Sequence, residues 1–211
     1  MNLLILDTTK TEGYVIGYIN DINHTFTISG NEKHSESLLP QIEKLLISAN
    51  VSINDIDAFG CVTGPGSFTG IRIGLSTVKA FNAVTGKPIY EGNVFEILAD
   101  YIVNGILLLN CTKTTYYYGI IKNKQLKSYG VVDKVNYKSL ITDDETIFFL
   151  KSEQQGEEFS YNKYETIKNY PYLIYQYFRN KSEDKNAVKD ASIEPFYIQV
   201  SQAERDIKNK G

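Results

Sequence analysis

An acidic residue followed by two hydroxyl residues ends the first apolar run of the sequence. Asp7 comes directly after Leu3 to Leu6, and Thr8 and Thr9 follow it. A carboxylate can bind Mg²⁺, which prefers hard oxygen ligands, and threonine hydroxyls can contact a phosphate. The same residues can also form a turn in which the Asp7 side chain bonds its own backbone. The sequence leaves both interpretations open, so Asp7, Thr8 and Thr9 are candidate remnants of a nucleotide site.

The segment around Asp7 recurs in the second half of the chain. LILDTTKT at positions 4–11 aligns with LLLNCTKT at positions 107–114, so that Asn110 stands where Asp7 stands in the first copy. After a slip of one residue, Tyr14 to Gly17 matches Tyr116 to Gly119. Internal repeats of this kind indicate a duplicated supersecondary unit.

The period of the apolar residues predicts the architecture that surrounds these segments. Each copy begins with three antiparallel strands, and in the first half helices and strands then alternate. This order is typical of a ribonuclease-H-like unit, and two such units in tandem give the duplicated α/β fold of the actin-like ATPases (ASKHA fold). We expect a first lobe at residues 1–104 and a smaller, divergent second lobe with a C-terminal tail at residues 105–211. Phosphoryl-transferring members of this fold use one carboxylate from each lobe, so Asn110 predicts a halved metal site.

A glycine-rich loop connects a predicted strand to a predicted helix. The loop consists of Gly64, Pro65, Gly66, Ser67, Phe68 and Thr69, and Gly70 opens the helix. Free amides at a helix N-terminus can hold an anion. The loop nevertheless lacks the Lys-Ser/Thr pair of a P-loop and the glycine spacing of a dinucleotide fingerprint. A tight turn that buries Phe68 and lets two elements approach closely is the favoured interpretation.

Two predicted helices in the first half carry the candidate interaction surface. In the first, an apolar stripe is formed by Leu38, Ile42, Leu45, Leu46 and Ala49, and Pro40 requires a helix start close by, with Ser35 or Ser37 as cap. In the second, Gly70 and Gly74 lie one turn apart, on a face continued by Thr77 and Phe81. Because Ile71, Leu75 and Val78 already form a separate apolar stripe, the glycine face is predicted to meet a partner, and Gly74→Ala should slightly favour the free monomer through helix propensity.

Composition excludes several classes of protein. The net charge of −3 disfavours a chain that grips nucleic acid by bulk electrostatics. Two separated histidines rule out a histidine-rich metal site, and His34 is expected to be a helix cap or a surface residue. The N-terminus lacks the pattern of a signal peptide and no apolar stretch approaches membrane-spanning length, so a cytoplasmic protein without membrane contact is expected.

Three segments closely resemble the TsaB (YeaZ) family of bacterial tRNA threonylcarbamoyladenosine biosynthesis. They are LLILDTT at positions 3–9, HSESLLPQIEKLL at 34–46 and TGPGSFTGIRIGLSTVKA at 63–80. The third is highly specific, and the resemblance covers about the first lobe. It departs from the family in the second lobe, where Asn110-Cys111-Thr112 replaces Asp-Ala-Arg and Gln199 stands in place of an arginine.

The resemblance implies a glycoprotease-like paralogue of the catalytic subunit TsaD that is itself not an enzyme. Its partners would be TsaD, in a heterodimer, and the ATPase TsaE, with tRNA joining through the complex. Their shared reaction transfers a threonylcarbamoyl group to the adenosine beside the anticodon of tRNAs that read codons starting with A. No metal or cofactor is expected on this chain alone, ATP or ADP would bind at an interface of the complex, and a homodimer could replace the heterodimer when TsaD is absent.

The family pairs through the two helices already singled out, which here span residues 34–50 and 69–84. The candidate interface residues are His34, Leu38, Leu39, Ile42, Gly70, Arg72, Ile73, Gly74, Thr77 and Phe81. The rival hypotheses are an active ATPase or metallopeptidase-like enzyme of the same fold, and a stand-alone RNA-binding module. The missing second carboxylate argues against the enzyme, and the acidic balance argues against the RNA-binding module.

Overall fold

The chain folds into two units, each built around a five-stranded sheet. The structure is a computed structural model that describes residues 1–142, 145–153, 163–184 and 192–199. The first unit comprises Met1–Ile97 and Asn169–Phe196, and the second comprises Leu98–Lys168 and Tyr197–Gly211. The tail at residues 201–211, assigned above to the second lobe, lies outside the described residues.

The sheet of the first unit joins an antiparallel meander to parallel strands. Its strands are β1 (Leu3–Asp7), β2 (Gly13–Ile19), β3 (Ile22–Ile28), β4 (Ala58–Val62) and β5 (Ile89–Gly92). Their order is β3-β2-β1-β4-β5, with β2 antiparallel to both neighbours and β4 parallel to β1 and β5. All five residues of β1 are buried, as expected for a central strand with both faces covered.

Of the four α-helices that the structure describes, three contact this sheet, and the short third helix spans the division between the two units. The helices are α1 (His34–Ser48), α2 (Phe68–Thr85), α3 (Val94–Ala99) and α4 (Tyr170–Glu183). The predicted stripes of the first two are confirmed, because Leu45 of α1 and Val78 of α2 are fully buried in one core with Leu4 and Leu6 of β1. The C-cap of α2 is Gly86, which adopts a φ of 69°.

The start of α1 differs from the prediction. The helix begins at His34 with Lys33 as its N-cap and without a side-chain cap, so neither Ser35 nor Ser37 has that role. Pro40 consequently lies inside the helix. Proline cannot donate a backbone hydrogen bond, but Pro40 is exposed, so water can reach the carbonyl that it leaves unbonded. None of the helices in the described ranges has the length and apolar character needed to cross a bilayer.

The second unit repeats the topology of the first. Its strands are β6 (Asn104–Asn110), β7 (Thr115–Lys122), β8 (Gln125–Asp133), β9 (Ile147–Leu150) and β10 (Tyr164–Ile167). Read from its meander, the order is β8-β7-β6-β9-β10, which matches the first sheet strand for strand. The predicted duplicated α/β fold of the actin-like type is therefore confirmed.

The strand register confirms the internal repeat at the level of single residues. Leu4 pairs with Gly17 in the first sheet, and Leu107 pairs with Gly119 in the second. The matching segments thus occupy equivalent positions, and the one-residue slip between them falls in the turn that follows the first strand of each copy.

An asparagine supports the same hairpin turn in both copies. The Asn2 side-chain oxygen accepts a hydrogen bond from the backbone N–H of Asn20 at 3.0 Å, and Asn104 does the same for Asn123 at 2.9 Å. Asn20 and Asn123 both have positive φ values, which favour asparagine in two-residue hairpin turns.

The division of the chain differs from the predicted lobes in two places, because the first unit ends at Ile97 and not at residue 104, and because it also includes Asn169–Phe196. Helix α4 follows the second sheet in sequence but belongs to the first unit, whereas the prediction placed residues 105–211 in a single lobe. Its buried residues Ile174 and Phe178 explain the placement, since a Cβ atom on Gly60 of β4 would stand 2.9 Å from the Phe178 ring. The apolar stripe of α4 therefore covers the first sheet.

Candidate functional site

The Asp7 carboxyl at the end of β1 is bonded within its own turn. Asp7 has no exposed surface, and its Oδ1 accepts hydrogen bonds from the Thr9 backbone N–H at 2.8 Å and the Thr9 hydroxyl at 2.7 Å. Burial raises the pKa of the Asp7 carboxyl, although the bonds from Thr9 act in the opposite direction. Of the two interpretations left open, the structural one is thus realised, while a nucleotide contact of Asp7, Thr8 or Thr9 stays a prediction.

The Thr8 hydroxyl is bonded to helix α2. Its Oγ1 donates to the carbonyl oxygen of Gly70 at 2.7 Å, and Thr8 is 1% exposed. The hydroxyl protons of Thr8 and Thr9 are therefore both used inside the chain. This end of β1 anchors the start of α2.

The glycine loop before α2 folds directly over the same strand end. A Cβ atom on Gly66 would stand 2.0 Å from the carbonyl oxygen of Thr9, and the Ser67 N–H donates to that oxygen at 2.7 Å. Ser67 also caps α2, because its hydroxyl accepts from the Gly70 N–H at 3.1 Å. The predicted close approach of two elements accounts for the glycine, although Phe68 is only half-buried.

The remaining loop residues divide between core and surface. Gly64 and Pro65 are buried, joined by a cis peptide bond, whereas Thr69 is exposed. The Gly64 carbonyl accepts from the Val94 N–H at 2.7 Å, which ties the loop to the start of α3. The loop thus serves as a packing turn of the first unit.

The glycine face of α2 points inward, which corrects the prediction that it meets a partner. Cβ atoms on Gly70 and Gly74 would stand 1.9 Å from the Thr8 carbonyl oxygen and 2.6 Å from the Thr8 hydroxyl oxygen. Both glycines are buried, so neither is available to another chain. An alanine at Gly74 would press on Thr8, which reverses the small gain expected from helix propensity alone.

Leu38 and Ile42 lie mainly on the face of α1 that packs on the core, which corrects the prediction of Leu38 as an interface residue. They are 2% and 3% exposed and belong to the core beneath α1. They share the face of Leu45, and this face covers the sheet. The contacts that α1 could offer to another molecule must come from the opposite side of the helix.

An open apolar groove runs between α1 and α2, with a volume of about 520 Å³. Its lining residues are Leu39, Pro40, Ile42, Glu43, Leu46, Ile47, Ile53 and Phe81. Leu39 is 59% exposed and Ile47 is 71% exposed, while Glu43 supplies a negative charge at the rim. This surface is named the α1–α2 groove below.

The other predicted interface residues lie at different depths around these helices. Arg72 is exposed, and Ile73, Thr77 and Phe81 are half-buried. Phe81 packs on Phe59 with ring centroids 5.3 Å apart. Of the predicted interface residues, the groove is lined by Leu39, Ile42 and Phe81.

His34, also predicted at the interface, is the first residue of α1 and is half-buried. Its Nε2 is buried without a hydrogen-bond partner among the described residues. A Cβ atom on Gly13 would stand 3.0 Å from this nitrogen, so the ring packs over the start of β2. His34 therefore faces the sheet and not the groove.

Sequence reasoning missed Ile47, Leu46 and Ile53 as groove residues. The available signal was a second apolar row on α1, since Leu39 and Ile47 fall outside the stripe that packs on the sheet. A helix that is apolar on two sides must cover two surfaces.

At the end of β6, the half-buried Asn110 forms hydrogen bonds within its own unit. Its backbone N–H donates to Glu153 Oε2 at 2.6 Å, and its side-chain amide donates to the Glu153 carbonyl oxygen at 2.8 Å. Lys134 Nζ donates to Asn110 Oδ1 at 2.9 Å and lies 4.5 Å from the centre of the Tyr116 ring. An ammonium group thus lies beside the oxygen that a metal ion would need.

Across the described ranges, no group of three or more His, Cys, Asp or Glu residues could hold a metal ion.

Comparison with known proteins identifies relatives over part of the chain. A family model for TsaD, tRNA N6-adenosine threonylcarbamoyltransferase, matches residues 28–139, which is more than half of the chain. The TsaB protein of Escherichia coli is 38% identical over 81 residues, covering 37% of this chain and 34% of its own length. A Rhizobium johnstonii tRNA N6-adenosine threonylcarbamoyltransferase is 46% identical over 63 residues, covering 30% of this chain and 17% of its own length. The chain spans less than half the length of the curated relatives it matches.

Solved structures match over nearly the whole chain. YeaZ from Pseudomonas aeruginosa aligns with a TM-score of 0.67 at 19% identity, covering 93% of this chain and 99% of the other. A second protein, with similarity to the peptidase YeaZ of that organism, aligns with a TM-score of 0.71 at 18% identity. At this identity the likeness concerns the fold alone. The family model, which matches more than half of the chain, shows that the chain belongs to the TsaD family, and parts of the chain are similar to curated TsaB proteins.

Proposed function

We propose that this chain is a non-catalytic scaffold subunit in the biosynthesis of threonylcarbamoyladenosine in tRNA. In this proposal it pairs with a TsaD paralogue through the α1–α2 groove, and the pair works with the ATPase TsaE. The complex transfers a threonylcarbamoyl group to the adenosine next to the anticodon of tRNAs that read codons starting with A. Relatives named as TsaB and as threonylcarbamoyltransferases support the assignment to this pathway.

The observation that carries the proposal is the exposed apolar surface of the α1–α2 groove. Leu39 and Ile47 are each more than half exposed beside a cavity of about 520 Å³. Contiguous apolar surface on a folded chain is typical of a binding site, because water contact with it is unfavourable. A partner helix that places apolar side chains between α1 and α2 would remove this surface from water. A basic residue beside them would meet Glu43.

The polar ends of β1 and β6 support a non-catalytic role. Asp7 Oδ1 is used by Thr9, and the Asn110 side chain is used by Glu153 and Lys134. A metal ion bound at Asn110 would have to displace its hydrogen bonds with Glu153 and with the Lys134 ammonium group. We therefore assign no cofactor to this chain alone, and place ATP or ADP at an interface of the assembled complex.

Co-purification with the TsaD paralogue of the same organism tests the pairing. Ile47→Asp puts a charge in the groove at a residue that is 71% exposed, so the chain should still fold, but it should no longer retain the partner. Val135→Asp is the matched control, because Val135 of the second unit is 87% exposed and lies outside the groove. Equal recovery of the partner with both variants would contradict docking in the groove.

The purified chain also distinguishes the scaffold from an enzyme of the same fold. The proposal expects no metal-dependent ATP hydrolysis by the wild-type chain. Turnover that Asp7→Ala abolishes would refute it. Light scattering on the same sample gives the oligomeric state without TsaD, and a homodimer disrupted by Ile47→Asp would use the same groove.

A further inference from the structure

Helix α2 crosses the end of β1 at very short range. Cβ atoms on Gly70 and Gly74 would stand 1.9 Å and 2.6 Å from Thr8 atoms, and real Cβ atoms essentially never approach another atom within 3.0 Å. The two glycines therefore provide the space that Thr8 fills. A larger residue on either side of this contact would move the helix away from the strand.

The Thr8 hydroxyl adds direction to this contact. Its Oγ1 donates to the Gly70 carbonyl oxygen at 2.7 Å in a fully buried position. The Gly70 carbonyl lies in the first turn of α2, where helix carbonyls accept the backbone hydrogen bonds of the helix itself. Because this hydrogen bond is made to one particular carbonyl of α2, it fixes the rotation of the helix about its axis as well as its distance from β1.

The same helix carries a wall of the α1–α2 groove. Phe81 lies two turns after Gly74, on the side of α2 that Gly74 also occupies, and it lines the groove. Because α2 is continuous from Phe68 to Thr85, a rotation at its start changes the position of the Phe81 ring. Thr8 and the groove are thus connected by one rigid element.

We infer that Thr8 is a positioning residue for the α1–α2 groove. Its hydroxyl holds α2 in the rotation that presents Phe81 beside Leu39 and Ile47, and so determines how well the groove accepts a partner helix. This inference rests on the proposed function of the groove. It assigns to Thr8 a contribution to partner affinity, although Thr8 is buried and cannot touch the partner.

Thr8→Val is the variant that isolates the hydroxyl. A methyl group approaches a carbonyl oxygen only to about 3.3 Å, so α2 must move or turn by about half an ångström to accept it. Thr8→Ser keeps the donor and should restore the wild-type behaviour. Thr63→Val is the control for the loss of a buried threonine hydroxyl, because Thr63 is 4% exposed and its hydroxyl faces Gly92 of β5.

Two readouts are measured on all four proteins: amide hydrogen exchange along α2 in the lone chain, and affinity for the TsaD paralogue by calorimetry. We expect Thr8→Val to speed exchange through the turn of Phe81 and to weaken pairing roughly tenfold, the effect of about one lost buried hydrogen bond. Thr8→Ser and Thr63→Val should pair like the wild type.

The outcomes separate this inference from the function on which it rests. A wild-type chain that does not pair would refute the proposed function, and hydrogen exchange alone would then decide the inference. Normal exchange along α2 in Thr8→Val, or a loss of pairing in Thr63→Val equal to that in Thr8→Val, would overturn the positioning role.

Discussion

At the end of β1, the Asp7 carboxyl combines complete burial with bonds to its own turn. Burial penalises the charged form, which is why the pKa of Asp7 is raised. A group of this kind weakens the fold when it ionises. The residue that looked like half of a metal site therefore acts on stability, in a direction that depends on pH.

Asp7→Asn should remove that dependence. The folded chain holds the Asp7 proton more tightly than the unfolded chain, so its contribution to stability is greatest below the unfolded pKa and is lost as the pH rises through the folded pKa. We expect the melting temperature of Asp7→Asn, relative to wild type, to increase as the pH is raised from about 4, the ordinary pKa of an aspartate, towards neutrality.

Thermal unfolding across this range measures the effect. Asp133→Asn, which removes an exposed carboxylate of β8, is the matched control. A difference between Asp7→Asn and wild type that is constant across the pH range would show that burial does not govern the ionisation of Asp7.

Among the elements, α4 was the hardest to place from the sequence. Its apolar residues Leu173, Ile174, Tyr177 and Phe178 have helical spacing, but nothing in the composition of this segment indicates which sheet it covers. The contact that decides the placement of α4 joins residues far apart in the sequence, because the Phe178 ring occupies the space that a side chain at Gly60 of β4 would need. Glycine in a central strand commonly marks such a close approach.

Phe178→Ala tests the assignment of α4 to the first unit. Phe178 is 1% exposed, and loss of a buried aromatic ring typically costs about 3–5 kcal/mol of unfolding free energy. We expect a loss of this size in urea unfolding, with faster hydrogen exchange in β1, β2 and β4. Tyr172→Ala on the same helix is the control, since Tyr172 is 44% exposed and should change stability little. Faster exchange confined to β6–β10 would contradict the assignment.

The local pattern of apolar residues was sufficient to predict the strands of both meanders and the apolar stripes of α1 and α2 that pack on the core. Leu45 and Val78 point to the core as their spacing predicted. The local pattern gave the wrong orientation for Gly70 and Gly74. The space beside these glycines is filled by Thr8, which lies far away in the sequence, so that the local pattern does not indicate the contact. The prediction also failed for Ile47, where a second apolar row was overlooked beside the stronger stripe.

At the scale of the whole molecule, the charge balance argues against independent binding of tRNA. The net charge is −3, and affinity for phosphate backbones comes mainly from lysine and arginine that release counterions. The lone chain should bind tRNA no more tightly than non-specific binders do, with a Kd of about 10⁻⁴ to 10⁻⁶ M.

Filter binding at several salt concentrations checks this expectation. The assembled complex with the TsaD paralogue is the comparison, and it should bind tRNA more tightly than this chain does. Tight binding by the lone chain that weakens steeply with salt would assign the tRNA contact to this subunit.

The first unit is completed by Asn169–Phe196, which follows the second sheet in the chain. During synthesis, β1 to β5 leave the ribosome well before α4, and at roughly 5–20 residues per second the delay lasts several seconds. For that time the face of β1, β2 and β4 that awaits Phe178 is open to water and to other nascent chains. All strands of the second sheet are synthesised before α4, so this sheet can form during the wait. A chaperone that shields apolar sheet surface would act on this protein at that stage.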